Sequence, residues 1–329
     1  MKKVLIIGAK GMLGQELVNI FKSDTDYKVT AWDFAQIDIT DENQVKEKIS
    51  KLSPNIILNA AAYNAVDACE KDKAEFAKAK MLNGKAPGYL AKVAKKLDAT
   101  FVQYSTDYVF SGMPDIPEPT GCSGSCGSCS LHENFSPQIG FDENAIPDPI
   151  QNYGKSKLMG EDAVQKNGEK YYIIRLSKLF GKPAKSNPPA GGAKKSFFDV
   201  MLEVGKKAER MSTPVKSAKG GVEQFNGVKV VNEETSLFTY APDLAKKTKE
   251  IIEAEKPFGI YHVANSEACT WYEAVVELYK MAKIKTKVVP VSADEFPRPA
   301  ARPYVSTLIN TKLNPLRSYK LALREYLKK

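Results

Sequence analysis

The sequence predicts an α/β protein with a Rossmann-type doubly wound parallel sheet and a smaller C-terminal α/β substrate-binding lobe. Two observations predict this fold class. Short apolar runs alternate with helical periodicity from residue 1 to about residue 181, and a series of β-α-β units builds a parallel sheet. The first apolar run also leads directly into the glycine-rich turn from Gly8 to Gly14, which opens a helix as in dinucleotide-binding domains.

The elements of the first half follow from apolar periodicity and turn residues, and we expect a Rossmann domain over residues 1–181. Strands are expected at Lys3–Ile7, Lys28–Trp32, Ile56–Asn59, Phe101–Tyr104 and Tyr171–Leu176, with the clearest helices at Gly11–Lys22 and Ala86–Lys96. Ligands of such sheets bind at the carboxyl ends of the strands, so the functional residues are expected at that edge.

After residue 181 the rhythm changes, because Pro, Gly, Ser and Lys crowd into two loop segments. Residues 182–329 are expected to form mainly the smaller lobe, with residues 228–245 returning to the Rossmann sheet. The elements expected here are helices at Phe197–Arg210, Ala241–Glu255, Thr270–Lys283 and the C-terminus, and strands at Val228–Val231 and Gly259–Val263. Trp271 and Tyr272, at a helix start, are interpreted as core residues.

Composition and charge exclude several classes of protein. A chain of 329 residues with 43% hydrophobic and 26% charged residues is globular rather than disordered. The net charge of +9 is spread over helices without a recognition motif, so nucleic acid is not an expected partner. Without an apolar run long enough to span a bilayer or a secretory segment, we expect a cytoplasmic protein with no membrane partner. Five cysteines, an odd number, fit a reducing compartment.

The glycine-rich turn is the candidate cofactor site. Gly8, Gly11 and Gly14 would let the backbone approach a pyrophosphate at the helix N-terminus. Asp33 ends the second strand, where a carboxylate can accept both ribose hydroxyls and would repel a 2′-phosphate. This favours NADH slightly over NADPH, and both remain candidate cofactors. The alternative interpretation of Asp33 is a loop residue or a helix cap without a cofactor contact. Asp38 and Ile39 follow and would border the adenine.

A catalytic group is indicated by Tyr153 and Lys157, which lie four residues apart and therefore on one face of a helix. An ammonium close to the phenol would lower its pKa towards the working pH, as a general acid requires. Upstream, Thr106 ends a strand with a hydroxyl that can hydrogen-bond a substrate carbonyl.

Together these motifs resemble the dTDP-4-dehydrorhamnose reductase family of extended short-chain dehydrogenases. The matching stretches cover residues 59–67 (NAAAYNAVD), 105–110 (STDYVF), 153–161 (YGKSKLMGE), 259–262 (GIYH) and 301–303 (ARP). By this resemblance Gly11, Met12 and Leu13 would contact the pyrophosphate, Ala62, Tyr63 and Asn64 the nicotinamide-side ribose, and Tyr153 and Lys157 both the cofactor and the reacting sugar. The full set of candidate cofactor-binding residues is Gly8, Gly11, Met12, Leu13, Gly14, Asp33, Asp38, Ile39, Ala62, Tyr63, Asn64, Tyr104, Tyr153 and Lys157.

The resemblance implies an NAD(P)H-dependent reduction of the C4 keto group of dTDP-4-dehydrorhamnose, or a close nucleotide-sugar analogue, to dTDP-L-rhamnose. Tyr153 would protonate the new alkoxide, and Lys157 would hold the nicotinamide ribose. Thr106 and Asp107 would touch the sugar, and Arg302 would suit its diphosphate, with a surface salt bridge as the alternative. The expected partner is thus a nucleotide sugar, and a homodimer stays open.

The chain departs from the family at Lys178, which occupies the place of a tryptophan that usually borders the substrate. Lys178 remains a candidate substrate-binding residue, because an ammonium can pair with a phosphate or an acidic sugar. The regulatory subunit of methionine adenosyltransferase also lacks this tryptophan, so a non-catalytic nucleotide-binding role is the alternative function.

A cysteine-containing insertion is expected at about residues 113–140. Cys122, Cys126, Cys129 and His132 lie within eleven residues and could bind zinc or an iron–sulfur cluster. Their glycine- and serine-rich surroundings favour the other interpretation, a reduced surface loop, and no metal is predicted.

Overall fold

A computed structural model describes residues 1–113, 139–185, 195–211 and 227–328. The described strands are, in chain order, β1 (Lys2–Ile7), β2 (Tyr27–Trp32), β3 (Ile56–Asn59), β4 (Thr100–Thr106), β5 (Tyr171–Leu176), β6 (Leu179–Phe180), β7 (Val228–Val231), β8 (Thr235–Ser236), β9 (Thr239–Tyr240), β10 (Gly259–His262), β11 (Asn265–Ser266), β12 (Cys269–Thr270), β13 (Val288–Val291) and β14 (Leu316–Ser318). The described helices are α1 (Met12–Lys22), α2 (Glu42–Leu52), α3 (Val66–Lys71), α4 (Lys73–Ala79), α5 (Ala86–Lys96), α6 (Asn152–Asn167), α7 (Phe197–Met211), α8 (Ala241–Glu253), α9 (Trp271–Ala282) and α10 (Tyr319–Tyr326).

The central sheet has six strands in the order β10-β5-β4-β3-β1-β2. Every neighbouring pair in it is parallel. Helices cover both faces, as a parallel sheet requires because its strands are buried on both sides. The sequence prediction of a doubly wound α/β fold is therefore confirmed.

Successive side chains of β1 point to opposite faces of the sheet. Val4 and Ile6 pack with α1 and α8 in one core, which Leu17 and Leu244 help to fill. Leu5 and Ile7 alternate with them and join the core on the opposite face, where α2, α5 and α6 pack. The sheet is thus held rigidly between two apolar layers, and its carboxyl edge is free to carry polar groups.

The smaller lobe has its own core, formed by aromatic and aliphatic side chains of α7, α9 and α10 and of the short strands β6, β7, β9 and β12. Phe180, Phe198 and Phe238 meet there, with ring centroids 4.7 to 6.4 Å apart. The partly buried Trp271 packs against this cluster, in agreement with its interpretation as a packing residue.

The expected return of residues 228–245 to the Rossmann sheet is wrong for the strand. β7 pairs with β13 in a separate two-stranded sheet of the lobe, because Val228 and Val230 are buried in the lobe core. The chain returns instead through α8, which packs against α1, and through β10, which pairs with β5 at the edge of the central sheet.

The last part of the chain joins the lobe to the carboxyl edge of the sheet. Val305 N donates to Gly112 O, and Ser306 N donates to Thr235 O. These bonds fix the segment that carries Arg302 close to the carboxyl edge of the sheet. In the described parts of the chain, no helix is both long and apolar enough to cross a bilayer.

Candidate active site

The glycine turn between β1 and α1 forms a cradle that only glycine fits. Gly8 has a φ of +75°, and a Cβ there would lie 2.7 Å from Ala61 N. A Cβ at Gly14 would lie 2.0 Å from Gly8 O. Gly11 precedes α1 without a side-chain cap, so the first N–H groups of the helix point out of its end. This backbone fits a pyrophosphate.

Met12 and Leu13 contribute to the cradle through their main chain. Leu13 is buried in the core beneath the sheet, so its side chain faces away from the turn. The peptide N–H groups of both residues belong to the first turn of α1, which is where an anion binds a helix N-terminus.

Asp33 lies beside the cradle at the end of β2. Its Oδ2 accepts from Lys10 N at 3.0 Å and its Oδ1 accepts from Phe34 N at 2.9 Å. A cavity of about 260 Å³ adjoins it, lined also by the side chains of Gln36 and Lys185. Asp33 therefore orders the glycine turn and keeps lone pairs for further donors, as a ribose contact needs.

Asp38 and Ile39 are less suited to the adenine contact expected for them. Asp38 Oδ1 accepts from Thr40 N at 2.9 Å and from Thr40 Oγ1 at 2.7 Å, which makes a local turn. Ile39 is 3% exposed and packs in the core on the α2 face of the sheet. Their observed contacts are structural.

Tyr153 and Thr106 meet at the carboxyl edge of the sheet. Thr106 ends β4, and Tyr153 stands in the first turn of α6, whose start is capped by Gln151 Oε1 accepting from Gly154 N at 2.6 Å. The Tyr153 phenol donates to Asn64 Oδ1 at 3.4 Å, and the Thr106 hydroxyl is close enough to lower the pKa of the phenol. Two hydroxyls thus converge where a substrate carbonyl would lie.

Burial and the charge of Asp107 raise the pKa of the Tyr153 phenol above its ordinary value, and the Thr106 hydroxyl opposes them. The sequence argument expected a lowered pKa, because it placed the Lys157 ammonium beside the phenol. In the structure that ammonium is held elsewhere. A phenol that stays protonated is nevertheless the form that can donate a proton to a new alkoxide.

Lys157 is buried one turn further along α6, and its Nζ donates to Tyr104 O at 2.6 Å. Burial lowers its pKa to about 8, against the opposing charge of Glu161. The Tyr104 ring itself is buried in the core, where its hydroxyl donates to Thr248 Oγ1 at 3.0 Å. Tyr104 therefore serves the site through its carbonyl and not through its ring.

Asn83 is a site residue that the sequence argument missed. It lies in a π-helical turn, Lys80–Lys85, and is 1% exposed. Its Oδ1 accepts from Tyr63 N at 2.8 Å, and its Nδ2 donates to Tyr63 O at 2.9 Å and to Ser156 Oγ at 3.0 Å. Asn83 thereby joins the loop after β3 to the catalytic helix. The Asn-Gly pair inside a helical pattern was the available signal.

The loop after β3 brings Ala62, Tyr63 and Asn64 to the same edge. Ala62 and Tyr63 are partly buried, Asn64 is exposed, and the Tyr63 hydroxyl donates to Glu75. This loop lies between the glycine cradle, through Ala61, and the Tyr153 hydroxyl, through Asn64. The nicotinamide-side contact expected for this loop stays a prediction.

Asp107 is buried behind Thr106 rather than open to the cleft. Its Oδ1 accepts from Thr106 Oγ1 at 3.0 Å, and its Oδ2 accepts from Ser236 Oγ at 3.0 Å and Ser306 Oγ at 2.7 Å. Burial raises its pKa, and the three hydroxyl donors and the charge of Lys178 oppose that effect. Asp107 therefore orients Thr106 and joins β4 to the lobe.

Arg302 contacts Asp67, as the alternative interpretation expected. Its Nη2 lies 2.9 Å from Asp67 Oδ2, and its Nη1 donates to Ala300 O at 2.7 Å. The Arg302 side chain is 11% exposed, so the ion pair is partly shielded from solvent. Lys178 contacts the lobe, with its buried Nζ 3.7 Å from the centroid of the Trp271 ring.

The predicted cysteine cluster lies outside the described residues. Cys122, Cys126, Cys129 and His132 all fall between residues 113 and 139. Within the described ranges, no group of three or more His, Cys, Asp and Glu side chains is arranged to hold a metal ion.

Comparisons with known proteins identify the family of the chain. The family model described as RmlD substrate binding domain matches residues 1–329. The spore coat polysaccharide biosynthesis protein SpsK of Bacillus subtilis (strain 168) is 30% identical over 99% of this chain and 97% of that protein. A crystal structure of a dTDP-4-dehydrorhamnose reductase from Clostridium acetobutylicum is 30% identical, with a TM-score of 0.79 over 99% of this chain and 98% of the other.

The dTDP-4-dehydrorhamnose reductase of Bacillus anthracis, solved in complex with NADP, is 29% identical and also has a TM-score of 0.79, over 99% of each chain. The match of the family model and of these relatives extends over both the sheet and the lobe. The chain therefore belongs to the dTDP-4-dehydrorhamnose reductase family, the family of the RmlD substrate binding domain.

Proposed function

We propose that the chain reduces the C4 keto group of dTDP-4-dehydrorhamnose, or of a close nucleotide-sugar analogue, to the alcohol, with NADH or NADPH as reductant. The observation that carries this proposal is that Thr106 and Tyr153 lie at the carboxyl edge of the sheet, while Lys157 is anchored on Tyr104 O of the strand that ends at Thr106. Relatives named dTDP-4-dehydrorhamnose reductase, one of them solved with NADP, support the substrate class and the cofactor.

In this proposal the backbone of the cradle holds the cofactor pyrophosphate and Asp33 holds the adenine-side ribose. The bound dinucleotide supplies a hydride. Lys157, anchored on Tyr104 O, presents its remaining N–H groups to the nicotinamide-side ribose.

Tyr153 is the proton donor. Its phenol is protonated at neutral pH even with its ordinary pKa, and burial raises that pKa further. Proton transfer to a new alkoxide is favourable because an alkoxide is far more basic than a phenolate. The Thr106 hydroxyl donates to Asp107 and accepts from Tyr108 N at 3.2 Å. In this proposal it turns from Asp107 to donate to the substrate oxygen that Tyr153 protonates.

The test is oxidation of NADH and NADPH, followed by absorbance, in the presence of a panel of nucleotide-linked 4-keto-6-deoxy sugars. We expect turnover by the wild-type chain and a loss of at least about a thousandfold in kcat for Tyr153→Phe. Tyr261→Phe is the matched control, because its buried hydroxyl donates to Pro257 O away from the cleft. Undiminished turnover by Tyr153→Phe would contradict the mechanism. Dinucleotide binding without turnover of any sugar would instead favour the non-catalytic alternative.

A further inference from the structure

Lys178 combines two features that are costly in a folded protein. It links β5 to β6 with a φ of +30°, a left-handed conformation that a lysine rarely adopts. Its Nζ is buried, and no hydrogen-bond partner for it is found among the described residues. A buried ammonium without an acceptor is strongly unfavourable, so an acceptor from outside the chain would complete the site.

The carboxylates near Lys178 are already engaged by other donors. Asp107 accepts from three hydroxyls. Glu234 accepts from Trp271 Nε1 at 2.8 Å and pairs with Arg298. The charge of Lys178 acts on both groups and on Cys269 without a direct hydrogen bond to any of them. The ammonium is therefore held over the Trp271 ring with its N–H groups unsatisfied.

The balance of charge around Lys178 indicates what kind of acceptor fits. Two carboxylates, Asp107 and Glu234, face two cations, Lys178 and Arg298. An additional phosphate or carboxylate would leave one negative charge uncompensated in a buried setting, which is costly. An uncharged hydroxyl adds no charge and can accept from an ammonium.

The Lys178 ammonium interacts with the charge of Asp107, the carboxylate that accepts from Thr106. Leu176, two residues before Lys178, is the β5 partner of Thr106 in the sheet register. The ammonium also covers one face of the Trp271 ring, at 3.7 Å from its centroid. A sugar bound against Thr106 and Tyr153 would therefore contact the Lys178 ammonium, because the ammonium covers that face of the Trp271 ring.

We propose that Lys178 is a specificity-determining residue, whose ammonium donates a hydrogen bond to an uncharged hydroxyl of the sugar held beside Thr106 and Tyr153. This inference rests on the proposed function, since it takes a nucleotide-linked sugar as the ligand. It deepens that function by selecting hydroxylated neutral sugars over sugars that carry a carboxylate.

The experiment measures binding of dTDP-L-rhamnose and of dTDP alone by calorimetry, together with turnover of the keto sugar panel. The variant is Lys178→Met, which keeps the length of the side chain and removes the charge. The control is Lys247→Met, which removes a lysine that is 7% exposed and paired with Glu250 on α8. Thermal unfolding of each variant is measured alongside, because a lysine with a merely structural role would lower Tm when it is removed.

We expect Lys178→Met to raise the Kd for dTDP-L-rhamnose by about ten- to hundredfold, as loss of a hydrogen bond from a charged donor does. The Kd for dTDP should change by no more than about twofold, and Tm should not fall. Among deoxy analogues of the sugar, one should bind wild-type protein more weakly by a similar factor and bind Lys178→Met with no further loss.

Three results would overturn the assignment of Lys178. They are an equal loss of affinity for dTDP and for the sugar nucleotide, no loss at all, or Lys178-dependent tighter binding of a uronic acid analogue than of the neutral sugar. If wild-type protein still reduces the keto sugar, none of these three results contradicts the reductase proposal. Absence of both turnover and binding in wild-type protein would overturn the reductase proposal and this inference together.

Discussion

Replacing the buried Lys157 by methionine should abolish reduction and yet stabilise the fold. The pKa of this lysine lies at about 8 in the folded chain, against an ordinary value of 10.5. Each pKa unit corresponds to about 1.4 kcal/mol, so the charged lysine lowers the free energy of unfolding by about 3 kcal/mol at pH 7. Loss of its hydrogen bond to Tyr104 O offsets about 1 kcal/mol of the gain. We therefore expect Lys157→Met to be more stable by about 2 kcal/mol.

The sign of the pH dependence provides the decisive check. The unfolded chain keeps the Lys157 proton up to about pH 10.5 and the folded chain only up to about pH 8. The penalty is thus fully present below pH 8 and disappears as the pH rises to 10.5, so wild-type protein should approach the variant in stability over that window. Urea unfolding followed by tryptophan fluorescence at pH 7 and pH 10 measures the difference, with the exposed Lys155→Met as control. A variant less stable at pH 7, or a difference independent of pH, would refute the reasoning.

Three further predictions concern the cradle and the buried ion pair. Gly14→Ala should bind dinucleotide far more weakly than Gly11→Ala in a fluorescence titration, because the added methyl group would lie 2.0 Å from a main-chain oxygen in the first case and 3.1 Å in the second. Asp33→Asn should shift the ratio of kcat/KM for NADPH over NADH upwards by about tenfold, since it removes the charge that opposes a 2′-phosphate; an unchanged ratio would remove Asp33 from cofactor choice. Glu161→Gln should destabilise the fold by about 3 to 5 kcal/mol in urea unfolding, because it leaves Arg175 charged and buried. Glu161→Leu with Arg175→Met should recover most of that loss, and a double variant as unstable as the single one would contradict this account.

The parts of the site that depend on local backbone could be predicted from the sequence. The glycine cradle follows from residue spacing, since three glycines between a strand and a helix have one common use. Tyr153 and Lys157 follow from helical periodicity, and Thr106 follows from its place at the end of an apolar strand. Each of these inferences needs only residues that are close along the chain.

The parts that depend on distant segments could not be predicted. Asn83 joins Tyr63, 20 residues away, to Ser156, 73 residues away. The partner of Arg302, which is 235 residues away, was equally open. The same reason explains the misplaced return of the chain to the sheet, because a four-residue strand pattern does not say which strand it joins.

The pKa of Tyr153 was predicted in the wrong direction for a related reason. Four residues of helical spacing place Lys157 on the same face of α6 as the phenol, but the direction of its long side chain is set by the acceptor at Tyr104 O on the neighbouring strand. Burial and the charge of Asp107 then decide the pKa of the phenol. Helical spacing predicts which side chains lie on the same face of a helix. It does not predict the charges and the burial that surround each of them.

Three buried cations differ in how many hydrogen-bond acceptors the chain provides for them. Arg175 is held by Glu161 through contacts of 2.6 to 3.2 Å. Lys157 has one main-chain acceptor at 2.6 Å, and Lys178 has none among the described residues. If burial alone explained all three, each would have acquired a carboxylate, as Arg175 has. Lys157 and Lys178 lack a carboxylate, which agrees with our proposal that the dinucleotide and the sugar supply their further acceptors. It follows that a sugar nucleotide should raise Tm more than the bare nucleoside diphosphate at equal concentration, since only the former can satisfy Lys178.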